Sequence, residues 1–390
     1  MNTLTLEYIK SILPPRPDNS HKMTFGHVLN IAGSLHYRGA AYLSSLSALR
    51  VGAGYVTLAS SPSVCDSVSA LTPNVVTLPL LTHVTERHDD AGQATDLLST
   101  KMQPSNTQSS DLQAIDVQAI DKRAVLQLRD KLNQASVISM GSGLSIGHST
   151  DQLIISPNIS TNISSLANPP LSNKHLSNSH SQGLSVPDGN NGFFYALLTE
   201  IQANPNPVIF DADALNFISH LLHPSGPSKT SINLPKNSII TPHPKELSRL
   251  LNVDVSEIQA KRVHYASIAA KQLNTVVVLK GKHSVISDGE RVFINPTGNS
   301  ALAKAGTGDV LTGMISGFCA QGVSPINAAC LGVYLHGLAG DIAAEDLSQY
   351  GMLASDLLNY IPNAILKVLA DAKSARDGDQ YRDGLPKARS

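Results

Sequence analysis

Six short runs of apolar, largely β-branched residues recur along this chain: His27–Ala32 (HVLNIA), Tyr55–Ala59 (YVTLA), Val137–Met140 (VISM), Val208–Phe210 (VIF), Ser238–Ile240 (SII) and Thr275–Leu279 (TVVVL). Each has the length of a strand, and each is apolar on successive rather than alternate residues, the pattern of strands buried on both faces. Stretches with helical spacing follow several of them, at Ala40–Val51, Ala214–Leu222 and Pro244–Leu251. Alternation of this kind predicts an α/β fold in which helices cover both sides of a parallel sheet. Ligands of such sheets bind at the carboxyl ends of strands, so the loops after these runs are where chemistry is expected.

The core must be built from Ala, Val, Leu and Ile, because aromatic residues make up only 4% of the 390 residues and Trp is absent. Lys and Arg number 29 against 30 Asp and Glu, for a net charge of −1. No excess of positive charge recommends a nucleic acid or an anionic membrane as partner. There is no uninterrupted apolar run of about 18 residues, the length a membrane-crossing helix needs. The opening MNTLTLEYIK lacks the basic-then-apolar order of a secretion signal, so a cytoplasmic location is expected. Cys65, Cys319 and Cys330 are too few and too scattered for a disulfide framework or a zinc site. Cys319 and Cys330 lie in Ala- and Leu-rich helical stretches and read as small buried thiols.

Two internal stretches break the pattern. Residues 156–192 are crowded with Ser and Asn and carry only Lys174 and Asp188 as charges. Such a stretch cannot bury enough apolar surface to offset the entropy of ordering it, and is expected as a surface excursion. Residues 86–121 are also polar, rich in Gln, Asp and Thr, with scattered Leu and Ile that allow a short helix. From about residue 371 the chain is charged and poor in apolar residues, and is expected to fray. One domain over 1–370 with two polar insertions, then a flexible tail over 371–390, is the expected organisation.

The strongest local signal is Ala305-Gly-Thr-Gly-Asp309. After it Val310, Leu311, Met314, Ile315, Phe318 and Cys319 recur on one stripe of a helix. Glycines just before a helix aim N–H groups and the helix dipole into one small volume, which suits an anion and a transferring phosphoryl group in particular. Asp309 sits at the mouth of that helix, where a carboxylate can take a proton from a hydroxyl nucleophile. A glycine turn with an acidic helix cap is the other reading of the same five residues.

Further candidates end the other strands. Lys280-Gly-Lys-His-Ser284 follows TVVVL, where a lysine and backbone amides can grip phosphates or form an ordinary basic turn. Asp211-Ala-Asp213 follows VIF: two carboxylates there can hold Mg²⁺ through water, or Asp213 can cap the next helix, the favoured reading, with Asp211 left open. Thr241-Pro-His-Pro-Lys-Glu246 follows SII, its prolines stiffening a helix start that puts His243 and Glu246 on the site side. Gly33-Ser-Leu-His-Tyr-Arg-Gly39-Ala40 and Gly141-Ser-Gly143 end two more strands and allow close approach of backbone to a ligand. No G-x-G-x-x-G fingerprint lies between the first strand and its helix. His336, in AACLGVYLHGLAGDIAAE, is expected to pack rather than react.

Taken in order, GHVLNIAGSLHYRGAAYLSSLSALRVGAGYVTLAS, MGSGLS, FDADALN, TPHPKELSRLL, VVVLKGKHSVI, NPTGNSALAKAGTGDVLTG and AACLGVYLHGLAGD resemble the NAD(P)H-hydrate dehydratase family. The likeness runs from about residue 20 to 365 and is interrupted by the two polar stretches. It departs at Met23, where the family usually has glycine in a K-G-x-x-G stretch, and at Ser284, where threonine is usual. The resemblance implies a ribokinase-like three-layer α/β/α sandwich with a mostly parallel central sheet. Bacterial relatives often carry an epimerase domain ahead of this one. With only about 20 residues before the match, the chain resembles the stand-alone dehydratase.

The family's chemistry repairs NADH and NADPH that have taken up water at nicotinamide C6. Hydroxide leaves poorly, so the hydroxyl of the S-epimer is first phosphorylated with ADP (or ATP), and the ring nitrogen then expels phosphate, leaving NAD(P)H and AMP. By this resemblance Asp309 is the base, and the amides of Gly306, Thr307 and Gly308 stabilise charge on the moving phosphoryl oxygens. Lys280, Gly281, Lys282, His283, Ser284 and Gly308 hold the adenine nucleotide, while Ala40, Gly143, His243 and Asp309 contact the hydrate. Mg²⁺ is expected on the phosphates, reached through water near Glu246. The resemblance further implies a homotetramer that works with a separate epimerase. Two rivals stand beside it: a ribokinase-like kinase for a thiazole or pyrimidine alcohol of vitamin synthesis, and a nucleotide-binding protein without turnover. TPHPKE, NPTGN and GSLHYRGAA together favour the dehydratase, and the presence of Asp309 argues against the last.

Overall fold

The computed structural model describes residues 1–85, 117–145, 189–223 and 233–380. In chain order the strands are β1 (Asn2–Thr3), β2 (His27–Ile31), β3 (Tyr55–Ser60), β4 (Val76–Pro79), β5 (Thr82–Thr85), β6 (Val117–Ile120), β7 (Val137–Met140), β8 (Val208–Phe210), β9 (Ile239–Ile240), β10 (Val276–Leu279), β11 (Val285–Ser287) and β12 (Val292–Ile294). The helices are α1 (Leu6–Ile12), α2 (Arg38–Arg50), α3 (Pro62–Leu71), α4 (Ala124–Gln134), α5 (Gly189–Glu200), α6 (Asp213–Leu222), α7 (Pro244–Leu251), α8 (Val255–Ala260), α9 (Arg262–Leu273), α10 (Thr307–Ala320), α11 (Pro325–Gly351) and α12 (Ala354–Gln380).

Ten strands form one sheet in the order β1-β12-β11-β10-β9-β8-β7-β2-β3-β4. From β10 to β4 every pairing is parallel, while β11 runs antiparallel to β10 and β12. All six runs singled out in the sequence are strands of this sheet. Their continuous apolarity has a direct cause, because successive residues of one strand face two separate cores. On β10, Val276 and Val278 enter the core under α1, α2, α10, α11 and α12, whereas Val277 and Leu279 enter the one under α4 to α9. On β2 and β7 the same split sends Val28 and Val137 one way, Leu29 and Ile138 the other. Two helical layers around one sheet make the three-layer sandwich of the ribokinase-like fold.

β5 and β6 pair antiparallel, Thr82 opposite Ile120, so the chain leaves at Thr85 and returns at Val117 side by side. The described end of the first polar stretch is therefore a strand, while the short helix that its Leu and Ile allow would fall on residues outside the described ones. A strand needs only a partner edge, which β5 supplies. Residues 86–116 lie outside the described residues, as do 146–188, which hold most of the second stretch; its last residues open α5. Of the tail, α12 continues to Gln380, and 381–390 lie outside the described residues.

Among the described helices, α11 is long and apolar enough to cross a membrane by length and composition, but 72% of its most apolar window is buried inside the protein, as in a core helix. Cys319 and Cys330 are free and buried, as expected, and so is Cys65; burial pushes the thiols of Cys65, Cys319 and Cys330 up to about 11, 12 and 12.

Candidate functional site

From β2 the chain proceeds to β3 and β4 on one side of the sheet; from β7 it proceeds to β8, β9 and β10 on the other. The loops leaving β2 and β7 therefore diverge and open a crevice at the carboxyl edge, the usual ligand position in such folds. The crevice is pinned at its base, where Gly33 N–H donates to Ser142 O at 2.8 Å. Gly143 has φ +65°, and a Cβ there would lie 2.6 Å from Tyr37 Cβ and 2.9 Å from Ala40 Cβ. Only glycine lets the two loops close this tightly, and the closure brings Ala40 and Gly143 together as the sequence reading expected.

The opening of α10 forms the next wall. Gly306 turns the chain with φ +92°. Thr307 is buried, and its hydroxyl faces Leu302 O and Lys304 O at 2.8 and 2.9 Å. Its amide is also spent, on Lys304 O at 3.4 Å. Amides of a first helical turn have no partner within the helix. With that of Thr307 turned away, those of Gly308 and Asp309 remain to face an anion. Lys304 fixes the approach to the turn by donating to Tyr350 O and Met352 O. His336 does pack, but against this same turn: its Nε2 lies 2.9 Å from Thr307 O. Burial drives its pKa down to about 4, so the ring is neutral and Nε2 must carry the proton it donates.

Asp309 lies in the first turn of α10, and burial pushes its carboxyl up to about 7, with Asp211 and Asp213 adding to the shift. The Ser142 hydroxyl and Lys280 pull the other way. Lys280, just past the end of β10, has its ammonium paired within the site. Its Nζ donates to Asp211 Oδ1 at 2.8 Å and lies 3.5 Å from where a Cβ of Gly308 would be. Burial alone would strip its proton, but Asp211 and then Glu246 outweigh burial and raise its pKa. Asp211 is only 1% exposed, and burial is outweighed there too: Lys280, with the Thr241 hydroxyl at 2.7 Å, holds it below the ordinary carboxylate range.

The rest of the loop after β10 parts from Lys280. Gly281, Lys282 and His283 are exposed, and Ser284 Oγ donates back to Gly281 O at 3.1 Å. His243 and Glu246 form a reciprocal cap on α7: Glu246 N–H donates to His243 Nδ1 at 3.2 Å, and His243 N–H donates to Glu246 Oε2 at 2.7 Å. Burial pushes Glu246 up to about 7 against the pull of Lys280, and lowers His243. Asp213 is not the cap residue of α6, a place taken by Ala212; its Oδ2 accepts from Ser145 N–H at 2.9 Å and ties the β7 loop to the β8 loop. Ser142 and Thr241 lie in motifs marked in the sequence, but the work of their hydroxyls was not foreseen, and Arg262 lies in none of them. A single hydroxyl, or an arginine opening a later helix, has no local pattern to betray it.

The described residues contain no group of three or more His, Cys, Asp or Glu side chains able to hold a metal ion. Glu246 already spends its oxygens on His243, Oε1 lying 3.3 Å from Nε2, and Asp211 Oδ1 serves both Lys280 and Thr241. The residues present do not make a protein cage for Mg²⁺, and no step is routed through one.

A family model described as NAD(P)H-hydrate dehydratase matches residues 28–164 and 186–363. The chain is 30% identical over 363 residues to the ADP-dependent (S)-NAD(P)H-hydrate dehydratase of Bacillus subtilis, covering 92% of this chain and 95% of that one. It is 32% identical to the bifunctional NAD(P)H-hydrate repair enzyme of Moorella thermoacetica over 92% of this chain and 53% of the relative. The chain thus spans about half the length of the bifunctional relatives that it matches. Among solved structures, the ADP/ATP-dependent NAD(P)H-hydrate dehydratase of Bacillus subtilis, co-crystallised with ATP and Mg²⁺, superposes with a TM-score of 0.62 at 26% identity, covering 94% of this chain and 98% of that one. A ribokinase-like superfamily protein of Enterococcus faecalis shares the fold with a TM-score of 0.65 at 21% identity, over 94% and 96% of the two chains. Matched by the family model over most of its length, and paired nearly end to end with a stand-alone relative, this chain belongs to the NAD(P)H-hydrate dehydratase family.

Proposed function

We propose that the chain is a hydro-lyase that restores NADH and NADPH from their C6-hydrated S-epimers, consuming ADP and releasing AMP and phosphate. The observation that carries this reading is the company of Asp309: a largely buried carboxyl shifted to about 7, beside the free amides of α10 and the Lys280 ammonium. In the first step Asp309 takes the proton of the C6 hydroxyl as its oxygen attacks the β-phosphorus of ADP, and the bond to the bridging oxygen of AMP breaks. The amides of Gly308 and Asp309, with Lys280, meet the charge on the transferring phosphoryl oxygens. In the second step the ring nitrogen's electron pair expels phosphate from C6, and loss of the C5 proton restores the dihydropyridine.

Within this reading Ala40, Gly143 and His243 line the hydrate side, and the Gly281–Ser284 turn, exposed over its first three residues, takes the adenine nucleotide. Mg²⁺ would enter as a companion of the nucleotide's phosphates, which would supply oxygen ligands where the described residues offer no group of three. A cytoplasmic homotetramer served by a separate epimerase completes the proposal.

The test supplies hydrated NADH with ADP and follows the absorbance of the reduced nicotinamide. Recovery with release of AMP and phosphate is expected. No recovery, alongside phosphorylation of a thiazole or pyrimidine alcohol by ATP, would turn the assignment to the kinase. Because Asp309 must be ionised to act, the rate is expected to rise as pH rises through about 7.

A further inference from the structure

Lys280 is held at both ends. At its tip, Nζ donates to Asp211 Oδ1 at 2.8 Å, and that oxygen is fixed in turn by the Thr241 hydroxyl at 2.7 Å. Thr312, on the second turn of α10, is wholly buried; its hydroxyl faces the same carboxylate without a well-formed hydrogen bond, and helps keep it ionised. At its root, the guanidinium of Arg262 donates to Leu279 O at 3.0 Å and to Lys280 O at 3.3 Å, capping the last carbonyls of β10. The same guanidinium fills the space beside Gly281, where a Cβ would lie 2.8 Å from it. The clamped ammonium stands 3.5 Å from the Cβ position of Gly308.

We propose that Asp211 and Arg262 are positioning residues that act through Lys280, holding its ammonium at the mouth of α10 so that it meets the β-phosphoryl group of ADP during transfer. The inference rests on the reading of the site given above and assigns work to two residues which themselves touch no substrate. A free lysine would have to be immobilised during the reaction, whereas one already locked between a buried carboxylate and a fixed strand end supplies its charge without reorganisation. Asp211 acts on Asp309 as well. The charged and titratable groups facing Asp309 are Asp211 and Asp213 from the β8 loop and Lys280 from β10, with the Ser142 hydroxyl from the β7 loop. Neutral His336 lies beneath the same turn on α11.

The experiment compares wild type, D211N, K280M, R262Q and the doubles D211N/K280M and R262Q/K280M. Turnover of hydrated NADH, ADP and AMP affinity, and melting temperature are measured for each. K280M is expected to lower kcat roughly 100-fold, D211N about 30-fold and R262Q about 5-fold, with KM for hydrated NADH moving less than about 3-fold. R262Q/K280M should turn over no more slowly than K280M alone, since a positioning residue has nothing left to position, and D211N/K280M likewise when each is compared above its own acid limb. D211N/K280M should also melt higher than D211N, because it no longer leaves a largely enclosed ammonium without its carboxylate. The acid limb of kcat in D211N should move to lower pH, as one negative neighbour of Asp309 is gone. Losses that multiply in the doubles, or an unmoved acid limb, overturn the proposal. If D211N does not fold, R262Q and its double decide. Affinity separates this inference from the assigned reaction: D211N and K280M should weaken ADP by a similar factor and leave AMP unchanged even in a chain that turns over no hydrate. ADP affinity equal to wild type in both variants overturns the clamp while leaving the reaction standing.

Discussion

Two aspartates share the crevice and are driven in opposite directions. Asp211, at the end of β8, is almost wholly buried, yet its carboxyl is held below the ordinary range by Lys280 and Thr241. Asp309, at the start of α10, is less deeply enclosed, yet its carboxyl is pushed up to about 7. Depth does not separate them, since burial raises both. The partner does: Asp211 has an ammonium at 2.8 Å, whereas Asp309 has a hydroxyl for a neighbour and other carboxylates close by. A carboxylate kept permanently charged can orient a cation, and one balanced near neutrality can accept and release a proton.

The largest blow to this contrast is Asp309→Ala. It is expected to cost roughly two to four decades of rate while ADP affinity stays within about 3-fold, measured by recovery of reduced nicotinamide and by calorimetry. A rate near wild type would remove Asp309 from the mechanism.

Stability sharpens the contrast, because the two groups carry opposite signs. The folded state binds the Asp309 proton more tightly than the unfolded chain, whose value is 3.8. Its contribution is therefore complete below about pH 4 and is lost as pH rises through about 7. That of Asp211 is present above pH 4 and is lost as pH falls through its lower folded value. Urea unfolding should show Asp309→Asn gaining on wild type by about 2 kcal/mol between pH 5 and pH 8, while Asp211→Asn gains only the smaller part that follows from lowering the Asp309 carboxyl. Equal pH dependence in the two variants would contradict the assignment.

Gly143→Ala tests whether the crevice needs its tight base. The added Cβ meets Tyr37 and Ala40 and strains a positive φ, so about 1–3 kcal/mol of stability should be lost, with a higher KM for the hydrate. The smallest effect is expected on removing 165–185, the stretch that the family model leaves between its matched blocks. The melting temperature should stay within about 2 °C of wild type if the stretch is a surface insertion.

Much of the fold was legible. VISM, VIF and SII are strands because runs apolar on consecutive residues can be satisfied only between two cores, and TPHPKE opens a helix because proline at its first position and a reciprocal cap need no distant partner. The site was legible in part. AGTGD at a helix mouth is a local pattern, and the structure sets it beside the strand ends. The roles of Lys280, Asp213 and His336 were not. The sequence puts Lys280 at a strand end, where a lysine can meet phosphate, but only the fold shows that its ammonium is paired with Asp211, 69 residues away. Asp213 was read as a cap on its own helix but serves the β7 loop, and His336 packs against the one turn on which the anion site depends. Strand β6 was missed because a four-residue strand in a polar stretch is made by its partner and not by its own composition.

Local chemistry written along the chain determined the strands, the helix starts and the placing of reactive residue types at strand ends, because backbone geometry and side-chain periodicity act over a few residues. Tertiary structure alone decided which of those residues carry charge and toward what they point. A carboxylate's ionisation and a lysine's direction depend on the nearest opposite charge and on the water removed around both, and parallel crossovers bring those neighbours from scores of residues away.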